Sequence, residues 1–168
     1  MTPKIRNETP SDAAAIEAVT IAAFLTAPHT SHTEQFIVGA LRDAGALTMS
    51  LVAELDGVVV GHVAVSSVSV TDGSSGWFGV GPLSVLPKHQ GRGIGSLLMH
   101  EALQLLRERG AAGCVVLGDP AYYKRFGFRT EPTLLLPSVP PEYFQAVAFQ
   151  SAPPCGTVAY HEAFSVQS

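Results

Sequence analysis

Three glycines at alternate positions, Gly91, Gly93 and Gly95, lie between an apolar run that ends at Pro87 and an amphipathic pattern that begins at Ile94. The run, Val80 to Leu86, reads as a strand. The pattern from Ile94 to about Arg107 reads as a helix. A strand, a glycine-rich turn and a helix N-terminus together form an anion site. The N–H groups of the first helical turn have no intrahelical partner, the helix dipole adds partial positive charge, and glycines let a phosphate approach the backbone. Three alternate glycines ahead of a helix are entropically costly unless the backbone needs them. The expected ligand is a phosphate-bearing cofactor. A P-loop requires Gly-x-x-x-x-Gly-Lys-Ser/Thr, which the chain does not contain. A dinucleotide fold places Gly-x-Gly-x-x-Gly after the first strand, whereas these glycines lie past the middle of the chain.

The elements that must position this loop follow from local signals. Ile5 to Glu8 reads as a first strand. Thr9-Pro10-Ser11-Asp12 supplies an N-cap, a proline at the first helical position and an acid in the first turn. Ile16, Val19, Thr20 and Ala23 continue at helical spacing. Phe36, Ile37, Ala40, Leu41 and Ala44 share one face of a second helix that Gly45 closes. Leu47 to Leu55 and Val58 to Val70 read as strands joined by the hairpin pair Asp56-Gly57. Ala112 to Leu117 suits a strand buried on both faces. Asp119-Pro120 opens a short helix that ends at Gly127, and Phe144 to Phe149 and Gly156 to Phe164 read as the last strands. The order predicts an α/β (α+β mixed sheet) fold, a central mixed β-sheet flanked by about four helices.

The loop Gln90-Gly91-Arg92-Gly93-Ile94-Gly95 fits Gln/Arg-x-x-Gly-x-Gly/Ala, and Tyr123-Lys124-Arg125-Phe126-Gly127-Phe128 fits Tyr-x-x-x-Gly-Phe. Together with the element order, these segments resemble the GNAT N-acetyltransferases. The longer string from Gly118 to Phe128 resembles a bacterial subgroup of that superfamily, as do the Pro-Pro-Glu segment at Pro140 to Glu142 and the Gly-Thr-Val segment at Gly156 to Val158. The resemblance implies a GNAT fold and acetyl-CoA as acyl donor. It implies that Gln90, Gly91, Arg92, Gly93, Ile94, Gly95 and Ser96 hold the pyrophosphate. Backbone groups of Leu83, Ser84 and Val85 would pair with the pantetheine arm, beside a bulge or splay near Gly81-Pro82, and the Val85 N–H is the candidate for polarising the thioester carbonyl. The implied reaction is acetyl transfer to a primary amine by direct attack in a ternary complex. A coenzyme A-binding sensor or partner-binding module without useful catalysis is the alternative.

Such a transfer needs a proton for the departing thiolate and a base for the amine. Tyr123 is the expected acid and also a cofactor contact, with Tyr122, Phe126 and Phe128 as packing residues. The base is open between Asp119, Glu34, Glu142 and water, because Trp77 to Leu86 contains no acid. His29 and His32 lie near Glu34 without a third strong metal partner, so no metal is expected. His62 and His161 read as hydrogen-bonded packing residues, and His89 and His100 have no motif role. Cys114, in an apolar run, reads as a reduced core residue, and Cys155 lies in a proline loop.

Composition bounds the rest. The 168 residues, 46% hydrophobic and 14% charged, argue for a folded domain over residues 1–168, with a core over about 3–136 and C-terminal strands over about 137–168. A net charge of −4 with ten scattered Lys and Arg residues argues against a nucleic-acid partner. The polar start is no signal peptide, and no apolar run reaches the roughly 18 residues of a membrane span. The expectation is a cytoplasmic protein with a small-molecule or peptide amine as partner. Edge strands near the C-terminus leave both a homodimer and a monomer open.

Overall fold

The structure, a computed structural model, describes residues 2–25, 27, 32–150 and 152–166. In chain order the elements are β1 (Lys4–Asn7), α1 (Ala13–Phe24), α2 (Glu34–Asp43), β2 (Met49–Leu55), β3 (Val58–Ser67), β4 (Ser69–Val70), β5 (Trp77–Val85), α3 (Ile94–Glu108), β6 (Gly113–Leu117), α4 (Pro120–Tyr123), β7 (Leu134–Leu135), β8 (Phe144–Ala148) and β9 (Gly156–Ala159). The main sheet has the order β1-β2-β3-β5-β6-β8 and is antiparallel except between β5 and β6. A small sheet, β4-β9-β7, stands beside it. The expected mixed sheet with helices is therefore present.

Local chemistry explains the elements. The Thr9 N–H donates to the Asp12 carboxylate at 2.7 Å, closing a capping box before α1. Pro10 to Asp12 form a 3-10 turn that feeds this helix. Arg6 forks onto the same carboxylate at 2.8 and 3.1 Å, tying β1 to the helix start. Asp56 and Gly57 both take positive φ, +50° and +78°, as a two-residue hairpin between β2 and β3 requires. On α3, Ile94, Leu98, Met99, Ala102, Leu103 and Leu106 form one buried stripe against Leu51, Val63 and Val85 of the sheet. Ile16 and Val19 of α1 and Val38 of α2 cover Val52 and Val59 on the opposite face.

Two expected strands are corrected. The run Val58 to Val70 breaks at Val68, whose N–H donates to the Trp77 carbonyl, and Ser69–Val70 leaves to pair with β9 in the small sheet. The run Gly156 to Phe164 stops being a strand at Ala159. Glu162–Ser165 is a 3-10 turn, because Ala163 and Phe164 pack on Ile37 and Leu41 of α2 and His161 Nδ1 accepts the Ala163 N–H at 3.0 Å. Among the described residues no helix is long and apolar enough to cross a membrane.

The junction of β5, β6 and β8 is tightly packed. A Cβ at Gly113 would stand 2.5 Å from the Val147 carbonyl oxygen and 2.5 Å from the ring of Trp77. Gly113→Ala should therefore cost about 1–3 kcal/mol by overpacking. The expected fall in melting temperature is roughly 3–10 °C. A melting temperature unchanged to within about 1 °C would contradict this packing.

Candidate active site

β5 and β6 pair over only three positions, Trp77, Phe78 and Gly79 against Gly113, Cys114 and Val115. Beyond them β6 follows β8 as far as Leu117, and β5 follows β3. The two strands part, and the edge of β5 from Val80 to Val85 becomes one wall of a wedge. The register shifts here as well. Val63 faces Leu83 and Val65 faces Val80, so β5 holds one residue more than β3 around Gly81 and Pro82. This is the bulge expected near Gly81-Pro82. Gly81 has φ +143°, and Pro82 has no N–H to contribute to a ladder.

Ladder alternation decides which groups face the wedge. The Leu86 N–H donates to the Val60 carbonyl at 2.9 Å, so the Val60–Leu86 position is hydrogen-bonded. Two residues on, His62–Ser84 is hydrogen-bonded too, and the backbone groups of Leu83 and Val85 turn the other way, into the wedge. The Val85 carbonyl confirms the direction, since it accepts from Gln90 Nε2 at 2.9 Å outside the sheet. Of the expected trio, Leu83 and Val85 thus offer backbone groups. Ser84 turns its own toward β3.

The loop after β5 ends where α3 begins. Gly91 and Gly93 have φ of +77° and +83°, and Gly93 is the N-cap. Both positions need glycine for their backbone conformation. The first helical bond runs from the Leu97 N–H to the Gly93 carbonyl at 3.0 Å, which leaves the N–H groups of Ile94, Gly95 and Ser96 without an intrahelical partner. Arg92 is exposed beside them, with Lys88 and His89 along a cleft of about 430 Å³. Gly95 meets a steric constraint that its neighbours do not. A Cβ there would stand 2.7 Å from the Tyr122 hydroxyl oxygen, so Gly95 admits a phenol to the helix start. Gln90 is committed to Val85 and holds the loop against the strand.

Two further phenols belong to the wedge. Tyr123, on α4, lies over Gly118 and edge-on to Tyr122 at 5.0 Å and to Phe128 at 6.0 Å. Burial, and then the neighbouring Tyr122, push its hydroxyl up to about 12. Tyr160 follows β9, and its position was not legible in the sequence. A Cβ on Gly79 would stand 2.5 Å from its ring, so the bare backbone of the last paired residue of β5 receives it. Burial pushes this phenol up as well, and Cys114 and Tyr123 lie within electrostatic reach. The described residues give neither Tyr123 nor Tyr160 a side-chain hydrogen bond.

The face of the sheet under α1 carries a buried polar group. His62 is fully buried, and its Nε2 lies 2.8 Å from Ser50 Oγ. The Ser50 hydroxyl donates to Glu8, which Arg42 grips at 2.8 and 3.1 Å. Arg42 and Ser50 hold the Glu8 carboxyl below its usual range in spite of its burial. Burial lowers His62 to about 4, against the pull of Glu8. His62 is therefore a hydrogen-bonded core residue, as expected, and among the described residues its Nδ1 has no partner.

The acids considered as bases are placed as follows. Asp119 caps α4 by accepting the Ala121 N–H at 2.9 Å and is exposed. Glu142 is exposed in a 3-10 turn, and Glu34 is half-buried in the first turn of α2. His29 lies outside the described residues, and His32 is exposed. Among the described residues no cluster of three His, Cys, Asp or Glu side chains is placed to hold a metal. Cys114 is fully buried and its thiol is pushed up by burial, whereas Cys155 is exposed. A mainly apolar cleft of about 490 Å³ lies between Thr130 and Thr157, and none of its lining residues belongs to β5, the glycine loop or α4.

The chain is similar to known proteins in sequence and fold. The model of the acetyltransferase (GNAT) family matches residues 14–128. The uncharacterised N-acetyltransferase YhbS of Escherichia coli K12 is 44% identical over 125 residues, 74% of this chain and 72% of that protein. The crystal structure of YhbS from Escherichia coli in complex with CoA superposes with a TM-score of 0.90 at 37% identity, covering 100% of this chain and 94% of that one. A GNAT family acetyltransferase from Brucella melitensis in complex with acetyl-CoA gives a TM-score of 0.87 at 51% identity, covering 96% and 97%.

The lowered His62 has a consequence for stability. Its folded pKa lies below its unfolded value near 6.5, so the unfolded chain takes up the proton first as pH falls. Stability in urea should be full above about pH 6.5 and decline toward pH 4. His62→Gln should remove that part of the decline. A wild-type chain equally stable at pH 7 and pH 4.5 would contradict a neutral buried imidazole.

Proposed function

The chain belongs to the acetyltransferase (GNAT) family and is an N-acetyltransferase; from that premise we propose that it transfers the acetyl group of acetyl-CoA to a primary amine by direct attack in a ternary complex. The observation that carries the reading is the wedge: an unpaired strand edge that points its free backbone groups into the gap between β5 and β6 and leads to the N-terminus of α3. In this reading the N–H groups from Gly91 to Ser96 take the pyrophosphate, with Arg92 adding charge. The pantetheine arm lies along β5 as an added strand and bonds to Leu83 and Val85. Val85 is tied to the loop through Gln90, so it serves the arm near the phosphates. Leu83 stands next to the bulge, and its N–H is the better placed donor for the thioester carbonyl, a contact worth about 3 kcal/mol in the transition state.

Tyr123 keeps its proton until the thiolate forms and then supplies it. Tyr160 faces the same point from the side of the sheet that α1 and α2 cover, where the amine would approach. A covalent cysteine intermediate has no support, because Cys114 is buried and resists ionisation. Direct attack is the simpler path.

Calorimetric titration with acetyl-CoA, coenzyme A and ATP tests the cofactor. Acetyl-CoA and coenzyme A should bind and ATP should not. Gly93→Glu puts bulk and negative charge where the pyrophosphate lies and should abolish binding in a folded chain. Gly93→Ala, a control for strain at φ +83°, should retain more affinity. Equal affinity in wild type and Gly93→Glu would remove the loop from the cofactor site. Acetylation of spermidine, L-lysine, a peptide N-terminus and kanamycin tests the transfer. Tyr123→Phe should lower kcat about 10- to 100-fold with acetyl-CoA affinity unchanged; unchanged kcat would remove Tyr123 from the acid role.

A further inference from the structure

We propose that Gln145, acting through the carbonyl of Gly118, is a positioning residue that holds the Tyr123 phenol at the wedge. The inference rests on the acetyltransferase reading above, in which Tyr123 protonates the departing thiolate. Gln145 is a buried polar side chain on an apolar face. In the register of β6 and β8 it stands opposite Val116, and Val147, two residues on, stands opposite Cys114. Val116 and Cys114 belong to the core under α3, and Val147, Tyr122 and Tyr123 pack on it. The Gln145 side chain therefore lies on the face that α4 covers. Its Nε2 donates to the Gly118 carbonyl at 2.9 Å and, more loosely, to the Glu142 carbonyl at 3.4 Å. Both partners only accept, so the amide nitrogen must be the end that faces them.

The other end of the amide is left over. Oε1 is buried and has no partner among the described residues. Burying an unpaired amide oxygen costs free energy that an apolar side chain of similar shape would not. A glutamine is therefore a poor choice for packing at this position. What it supplies in return is a clamp on the turn between β6 and α4.

That turn carries Tyr123. α4 is a single turn of helix, too short to hold itself by its own hydrogen bonds, so its place depends on its two ends. Behind it, Phe126 and Phe128 are buried in the core. In front of it, the Gly118 N–H donates to the Tyr143 carbonyl at 2.9 Å, the Gly118 carbonyl accepts from Gln145, and Asp119 caps the helix. The Tyr123 ring lies directly on the Gly118 α-carbon, where a Cβ would overlap the ring edge. The residue whose carbonyl Gln145 holds is thus the one on which the phenol rests. Among the described residues the Tyr123 hydroxyl has no hydrogen bond of its own, so packing alone aims it. Reaction rates respond steeply to such aim: a misplacement of about 1 Å can cost about 100-fold.

Gln145→Met nearly keeps the volume and loses the donor. Neither Gly118 nor Glu142 is buried, so water can take the place of Nε2 at their carbonyls. The melting temperature should stay within about 3 °C of wild type. With the fastest acceptor among spermidine, L-lysine and kanamycin, kcat should fall about 10-fold and KM for acetyl-CoA should not change. In a Tyr123→Phe background the same substitution should change kcat by less than about 2-fold, because the group it aims is gone. An equal loss in both backgrounds would overturn the proposal, as would full kcat in Gln145→Met while Tyr123→Phe is slow. Gly118→Ala, which pushes the ring off its seat, should depend on Tyr123 in the same way and replaces Gln145→Met if that chain does not fold. A second readout needs no turnover. The nuclear Overhauser contact between the Gly118 α protons and the Tyr123 ring, assigned with Tyr123→Phe, should be strong in wild type and weak in Gln145→Met. Equal contact in both would overturn the proposal. Wild type that acetylates none of the three amines, or Tyr123→Phe with full kcat, would count against the reading it rests on, and the ring contact would still decide whether Gln145 places Tyr123.

Discussion

A strand edge inside a protein must find partners for its N–H and C=O groups, and beyond Gly79 β5 finds them on one side only. Its pairing with β6 ends at Gly79, while β6 remains bonded to β8 through Leu117. The rest of the site follows from that unfinished ladder. The bulge at Gly81-Pro82 shifts the alternation by one residue, so Leu83 and Val85, rather than Ser84, face the gap. The strand then runs directly into the loop that starts α3, which aligns a row of backbone donors with a helix N-terminus.

Such an opening would weaken a sheet that lacked support on its faces. Here α3 packs its buried stripe across β2, β3 and β5 on one side, and α1 and α2 cover the other. The small sheet and the 3-10 turn at the C-terminus close the far half and deliver Tyr160 to the apex. The wedge is therefore a gap in hydrogen bonding within a well-packed frame.

What could be read from the sequence was whatever is encoded locally. The glycine loop, the start of α3, the capping box at Thr9 and the Asp56-Gly57 turn each depend on a few adjacent residues, and each is present. Pro82 was enough to point at an interrupted ladder. Long-range register was not legible. The orientation of Ser84 depends on counting through the bulge against β3. Tyr160 lay in a run that looked like strand, because alternation continues past Ala159 while packing on α2 ends it. His62 was legible as a hydrogen-bonded core residue, but its partners were not, because Ser50 and Glu8 reach it only through the pairing of β2 with its neighbours. Nothing next to Gly95 in the sequence signals that a tyrosine from α4 fills the space a side chain there would need.

In the proposed reaction the free edge of β5 is completed by the cofactor. Residue-resolved amide hydrogen exchange, with and without saturating acetyl-CoA, tests it most directly. The account predicts new protection at Leu83, at Val85 and from Gly91 to Ser96, with no change at Ser84, whose N–H is already bonded to β3. Protection gained at Ser84 but not at Leu83 and Val85, or none along β5 when acetyl-CoA is bound, would contradict it.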